Sequence, residues 1–517
     1  MLKEMMKEKK MAKDKSREYN EIELIDLDEA PSRKELKQIK KEKKKEKKLN
    51  KKKNKEFAVV NYIFLFLFLC LAAYFCYFVQ FKSEDFISNS YNPRLSAMYE
   101  SVIRGKILTS DGYVVAVSTV DEDGKQKREY PYNNTYAHVV GYNVNGMAGV
   151  ELDANFSLLR SHSDIFTIVK NEILGYKNQG DTVVMTVDSK LQSSAYKEMG
   201  GYRGAVVAIE PSTGKILAMV SKPDFNPNDV KANWESMIAD DESSVLVNRA
   251  TQGLYPPGST FKIITALEYL REGGNASDEF NCKGSYKYED KVIHCYGNKV
   301  HSTENFMQAF GKSCNCVFAE IGMSLDMNSY GELCDELLFN KKLPTELQGV
   351  KKSSFKVPNK SDYAAVMETA IGQGETLVTP MHMAMIASAI ANDGVLMRPY
   401  VVSHVQNDDN VIMKEYAPIK YGELLSVEEA STMKEYMRYV VTDGTGTKLD
   451  VPEYTAYGKT GTAEFNSNKN DSHSWFVGFA ENDGKQIAVA VIMEDAGSGS
   501  AFAVPLAKTM FNTYFAD

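Results

Sequence analysis

Hydrophobic and polar positions divide the chain into three stretches of different character. Residues 1–56 are charge-rich and carry no sustained apolar period. Residues 57–81 form an apolar run in which only Asn61 and Gln80 are clearly polar. Crossing the hydrocarbon core takes about 20 helical residues, so this run predicts a transmembrane helix. It exceeds a signal-peptide core and has no small-x-small cleavage site, because Ala72-Ala73-Tyr74 leads into bulky aromatics. A retained anchor is therefore expected rather than a cleaved leader.

Beyond the span, residues 83–179 show short β-like runs between turn signals. Examples are Gly105-Lys106-Ile107-Leu108 ahead of Ser110-Asp111-Gly112, and Ala137-His138-Val139-Val140-Gly141. They predict a small α+β module. From Asp181 the pattern changes. Residues 205–209 and 216–220 flank Pro211-Ser212-Thr213-Gly214 and predict a hairpin. Residues 261–270 predict a helix opened by Pro256-Pro257-Gly258 and closed by Gly273-Gly274. Residues 381–391 predict another apolar helix, 475–479 and 486–492 adjacent antiparallel strands, and 505–515 a final helix. Strands at both ends with helices between them predict an α+β layer architecture, its sheet completed by both ends of the domain.

Charge adds a topology to this picture. The net charge of −8 conceals a balance of +8 in residues 1–56, zero in 57–81 and −16 in 82–517. Between Arg33 and Lys55 there are 14 basic and 3 acidic residues. The positive-inside rule keeps such a run in the cytoplasm, so the C-terminal body is expected outside the membrane. A basic run can bind nucleic acid, but its place against an apolar span points to anionic lipid headgroups instead. Of seven cysteines, Cys70 and Cys76 fall in the span. Cys282 and Cys295 flank a turn-rich stretch in a disulfide-permissive compartment and form a candidate disulfide. Cys314, Cys316 and Cys334 read as small buried fillers, and no Cys/His spacing has the form of a metal site.

Candidate chemistry lies in three strings: Ser259-Thr260-Phe261-Lys262, Ser313-Cys314-Asn315 and Lys459-Thr460-Gly461-Thr462. The Ser-x-x-Lys spacing also occurs at Ser194, Ser212, Ser353 and Ser431, and Ser-x-Asn also at Ser90, whereas Lys-Thr-Gly occurs once. Context separates the copies. Only Ser259 follows a Pro-Pro-Gly turn and opens an apolar helix, where unpaired N–H groups and the helix dipole favour developing negative charge. Lys262 lies on the same helical face and can reach its oxygen. Alone, each string reads as a cap or a turn; their order and context argue for one site.

In that order the strings resemble the active-site set of penicillin-binding proteins and serine β-lactamases. Asn248-Arg249-Ala250 before the Pro-Pro-Gly turn, Gly372-Gln373-Gly374 before Leu377-Val378-Thr379-Pro380, and Arg104-Gly105-Lys106-Ile107 with Asp111-Gly112 and Gly149-Val150-Glu151 extend the resemblance to class B penicillin-binding proteins. The resemblance runs from about Arg104 to the C-terminus. Ahead of it, composition and hydropathy imply a basic cytoplasmic tail over 1–56, disordered with transient helix in its Lys/Glu run, then a transmembrane helix over 57–81. An extracellular α+β pedestal would follow over 82–180. An α+β transpeptidase domain like that of penicillin-binding proteins and serine β-lactamases, an antiparallel sheet with helices, would occupy 181–517.

The same resemblance implies acyl transfer from peptide stems ending in D-Ala-D-Ala. Ser259 would be the nucleophile, neutral Lys262 its base, Ser313 and Lys459 a proton relay, and Asn315 a holder of Lys262 and the substrate amide. Thr460, Gly461 and Thr462 would bind the terminal carboxylate and backbone, with Gly372, Gln373 and Gly374 also assigned to substrate binding. The backbone N–H groups of Ser259 and Thr462 would form the oxyanion hole. β-Lactams would acylate Ser259. No cofactor is called for. Fewer than 100 residues lie between the span and Asp181, too few for a glycosyltransferase domain. The implied partner is a separate membrane glycan polymerase of the shape, elongation, division and sporulation class. Rival readings are a D,D-carboxypeptidase or β-lactamase, and a non-catalytic β-lactam sensor or scaffold. A Ser-His-Asp hydrolase has no support, since no Gly-x-Ser-x-Gly elbow is present.

Overall fold

The computed structural model describes residues 32–81, 101–240, 242–464 and 472–516. Residues 1–31 of the expected tail, and 82–100 of the expected pedestal with the Ser90 string, lie outside them. The chain divides into two units, Met1–Ile87 and Ser88–Asp517. In the first, a single helix, α1 (Arg33–Phe81), carries the basic and apolar runs without a break. Residues 33–56, expected to be disordered with transient helix in the Lys/Glu run, are helical here. Lys, Glu and Leu are good helix formers, and a helix already nucleated by the apolar run extends without a second nucleation cost. Within α1, Phe57–Phe78 is long and apolar enough to cross a membrane.

Two sheets organise the second unit. Their strands are β1 (Ile107–Leu108), β2 (Val114–Val120), β3 (Gln126–Glu129), β4 (Thr182–Met185), β5 (Gly204–Ile209), β6 (Ile216–Lys222), β7 (Val402–Gln406), β8 (Ile412–Glu415), β9 (Thr455–Glu464), β10 (Ser472–Asn482) and β11 (Lys485–Met493). One sheet has the order β8-β7-β4-β1-β2-β3, the other β9-β10-β11-β5-β6. The first crosses the expected 180/181 boundary: β4 pairs in parallel with β1 and antiparallel with β7. The smaller module is thus built partly from the C-terminal half. A buried ion cluster fastens it. Arg104 Nη2 lies 2.6 Å and Arg128 Nε 2.7 Å from the two carboxylate oxygens of Glu151. Burial alone would raise the Glu151 carboxyl, but the two guanidiniums outweigh it and hold it below the usual range.

The second sheet carries the site. Its helices are α2 (Lys262–Arg271), α3 (Phe306–Gly311), α4 (Asn315–Ser324), α5 (Pro380–Ala391) and α6 (Ala503–Phe515). Alternation along β11 explains the layering. Ala488, Ala490 and Ile492 join the core that holds α5, while Val489, Val491 and Ile487 join the core that holds α6. The sheet is therefore covered on both faces, which is why residues 474–480 of β10 are an unbroken buried run. α5 is buried along its whole length, matching its unbroken apolar sequence. The hairpin, the antiparallel pair and the helices expected over 261–270, 381–391 and 505–515 stand where the pattern places them. One expectation is corrected: Ala137–Val140 is helical, not extended. All four side chains are buried, and a short run apolar on every side has no period with which to tell helix from strand.

Candidate active site

Ser259 stands in a 3-10 turn, Gly258–Phe261, that runs directly into α2. The turn is held from three sides. Gly258 has φ 52°, and its N–H donates to Gly372 O at 2.8 Å. Thr260 Oγ1 donates to Pro257 O at 2.8 Å, and Trp475 Nε1 to Pro256 O at 3.1 Å. A Cβ on Gly461 would come within 3.0–3.1 Å of Thr260, Trp475 and Pro257, so the bare backbone of β9 is what lets it lie against the turn. β9 is the edge of its sheet, with pairing groups on its outer side uncommitted to any other strand among the described residues.

Lys262, one helical turn after Ser259, is fully buried. Its Nζ donates to Ser313 O at 2.8 Å, Asn315 Oδ1 at 2.7 Å and Ser313 Oγ at 3.4 Å. From the other side Lys459 Nζ, equally buried, donates to the same Ser313 Oγ at 2.8 Å. One hydroxyl thus bridges two ammonium groups. Ser313 adopts φ 59°, a left-handed conformation unfavourable for a residue with a side chain, between the end of α3 and the start of α4. Asn315 is fixed in turn, its Nδ2 donating to His294 O at 3.0 Å. Burial pulls Lys262 down to about 8. Burial, and then the charge of Lys262, push Lys459 well below the ordinary lysine range. Both shifts move the two amines towards the neutral form, which is the form able to accept a proton.

The other residues singled out from sequence divide. Thr460 and Thr462 share one side of β9, and Thr460 Oγ1 lies 2.5 Å from Thr445 Oγ1. Gly372 sits behind the Ser259 turn, where a Cβ would be 2.0 Å from Gly258 O. Gln373 donates its backbone N–H to Glu368 O, and Gly374 lies beside the Glu368 side chain. Cys282 and Cys295, the candidate disulfide pair, are free thiols 3.6 Å apart within a wider cluster that includes His301, Cys314 and Cys316. The spacing argument missed it because folding, not sequence proximity, brings these residues together. Sequence reasoning also missed Glu494, which accepts from Arg249 Nε at 2.8 Å and Tyr255 OH at 2.7 Å and ties the approach to Ser259 onto β11. No motif marks a lone glutamate 235 positions downstream of the nucleophile.

Comparison with known proteins decides the family. A model of the penicillin binding protein transpeptidase domain matches residues 204–512, and a penicillin binding protein A dimerisation domain matches 104–183. The chain belongs to the class B penicillin-binding proteins. As a member of that family it is 31% identical to the peptidoglycan D,D-transpeptidase PbpA of Mycolicibacterium smegmatis, over 83% of this chain and 92% of the relative. Penicillin-binding protein A from M. tuberculosis, solved as a ceftriaxone acyl-enzyme, is 28% identical with a TM-score of 0.73, covering 81% of this chain and 99% of that one. The D,D-transpeptidase domain of an Eggerthella lenta peptidoglycan glycosyltransferase is 31% identical with a TM-score of 0.71, covering 80% and 99%.

Proposed function

We propose that this penicillin-binding protein is a peptidoglycan D,D-transpeptidase working through an acyl-enzyme on Ser259. The observation that carries the reading is the Ser313 hydroxyl held 2.8 Å from Lys459 Nζ and 3.4 Å from Lys262 Nζ beside the nucleophile's turn. A serine is a weak nucleophile until a base takes its proton. Neutral Lys262 removes that proton as Oγ attacks the penultimate D-Ala carbonyl. The proton then travels through Ser313, supported by Lys459, to the departing D-alanine amine. The amine of a second stem resolves the ester and restores Ser259. β9 offers its free edge to the extended stem, with Thr460 and Thr462 at the terminal carboxylate and the N–H groups of Ser259 and Thr462 at the oxyanion. β-Lactams acylate the same serine.

The apolar helix and its basic flank support a single-pass protein with the tail cytoplasmic, its lysines on anionic headgroups, and the catalytic unit on the cell-wall side. A separate membrane glycan polymerase would supply the glycan strands.

The full chain in detergent, given a D-Ala-D-Ala stem peptide, is expected to release D-alanine faster when an acceptor amine is added and to form the cross-linked product. Equal release with water alone and no cross-linked product would overturn transpeptidation in favour of a carboxypeptidase.

A further inference from the structure

The residue between the two catalytic side chains of Ser313-Cys314-Asn315 belongs to a second cluster. Cys282 closes one strand, Glu279–Cys282, and pairs with Ser302 in the antiparallel strand Ser302–Asn305. His301 directly precedes that partner strand. Cys295 follows the hairpin strand Lys291–His294, and Cys314 caps α4. Their donor atoms converge. Cys282 Sγ lies 3.6 Å from Cys295 Sγ and 3.5 Å from His301 Nδ1. Cys295 Sγ lies 3.7 Å from His301 Nδ1 and 3.6 Å from Cys314 Sγ. All four donors fall within 4.8 Å of one another.

We infer that Cys282, Cys295, His301 and Cys314 form a zinc site that locks the Ser313-Cys314-Asn315 motif in place. The edges decide the matter. A tetrahedral zinc with bonds of about 2.3 Å to sulfur and about 2.0–2.1 Å to nitrogen separates sulfurs by about 3.8 Å and sulfur from nitrogen by about 3.6 Å. The four contacts above, at 3.5–3.7 Å, match those edges; the remaining pairs need about 1 Å of closure. A single disulfide would leave two thiols and a histidine gathered for no reason. Simple packing of apolar thiols does not explain the imidazole.

A buried carboxylate borders the same cluster. Glu304 is fully buried, and neither of its carboxylate oxygens has a hydrogen-bond partner among the described residues. One oxygen is 3.9 Å from His301 Nδ1, and Lys312 approaches the other at 3.5 Å. Cys316 Sγ, 3.4 Å from Cys295 Sγ, is packed alongside as a spare thiol outside the four.

The consequence reaches the active site, and this part rests on the proposed acyl transfer. Cys314 directly follows Ser313, whose φ of 59° needs support, and directly precedes Asn315, whose amide is held by the carbonyl next to Cys295. Zinc would fix both neighbours of Cys314 and, through them, the position of Lys262. Its ligands are positioning residues and take no part in bond making.

The test is metal content of the full chain, purified in detergent under reducing conditions and dialysed against zinc. About one zinc per chain is expected, and cobalt in its place should give tetrahedral ligand-field absorption with thiolate-to-cobalt charge transfer. Cys295→Ser and Cys314→Ser should lose the metal, whereas Cys316→Ala and Cys334→Ala should keep it. His301→Cys guards against simple misfolding: it should retain cobalt with one more thiolate's worth of charge transfer. Chelation should slow penicillin acylation at least several-fold, and zinc should restore it. A metal-free wild type, or a Cys282–Cys295 bridge that persists after reduction and zinc exchange, would overturn the site. Metal binding without any change in acylation on chelation would overturn the locking role. Because stoichiometry is read without turnover, failure here is distinguishable from failure of the transpeptidase reading.

Discussion

Ser313 is the residue on which the proposed chemistry turns, because two buried amines address its one hydroxyl. Removing that hydroxyl leaves Lys262 its carbonyl and amide partners but breaks the path between the amines. Ser313→Ala is therefore expected to lower penicillin acylation by about 10²–10⁴-fold, measured by stopped-flow labelling, with the fold intact. The pH profile follows from Lys262. Burial brings its ammonium down to about 8, and only the neutral amine accepts a proton. Acylation should thus rise with pH up to about 8 and flatten above it, rather than rising towards the ordinary lysine value of 10.5. Gly372 is a residue of another kind. At φ 79° with Gly258 O where its Cβ would be, Gly372→Ala should cost about 2 kcal/mol or more and displace the nucleophile's turn, seen as a lowered Tm together with slowed acylation.

At the scale of elements, α5 shows how burial couples pH to stability. His382 is enclosed within it, with Nε2 2.7 Å from Leu337 O and Nδ1 without a hydrogen-bond partner among the described residues. Burial lowers its pKa to about 4 from an ordinary 6.5, so the folded chain disfavours the charged ring. The stability it contributes is complete above pH 6.5 and is lost as pH falls towards 4, by up to about 3 kcal/mol. The drop in Tm between pH 7 and pH 5 should be smaller in His382→Gln than in wild type. Elements were also where sequence was most readable. β5, β6, β10, β11, α5 and α6 announce themselves as long runs of one period, because a sheet covered on both faces demands continuous apolar strands. Ala137–Val140 did not, since four buried residues carry no period. The site divides in the same way. Ser259, Lys262, Ser313, Asn315 and Lys459 were singled out by the order and context of their strings, since two of the three spacings recur elsewhere in the chain. Glu494, the carbonyl of His294 and the four donors around Cys314 were not, because only tertiary folding brings them in.

At the scale of the molecule, the two modules of the second unit share a sheet, so the smaller one is no separable spacer. Glu151 holds Arg104 and Arg128 in its interior. Glu151→Gln leaves two buried guanidiniums short of a counter-charge and should destabilise the unit by about 3–5 kcal/mol, read as a fall in Tm. The central claim concerns one oxygen in this frame, and mass spectrometry of the full chain after exposure to penicillin tests it most directly. The wild type should gain the mass of one penicillin, on the peptide that contains Ser259, and Ser259→Ala should gain none. Acylation that survives Ser259→Ala, or that maps to another residue, would contradict the account.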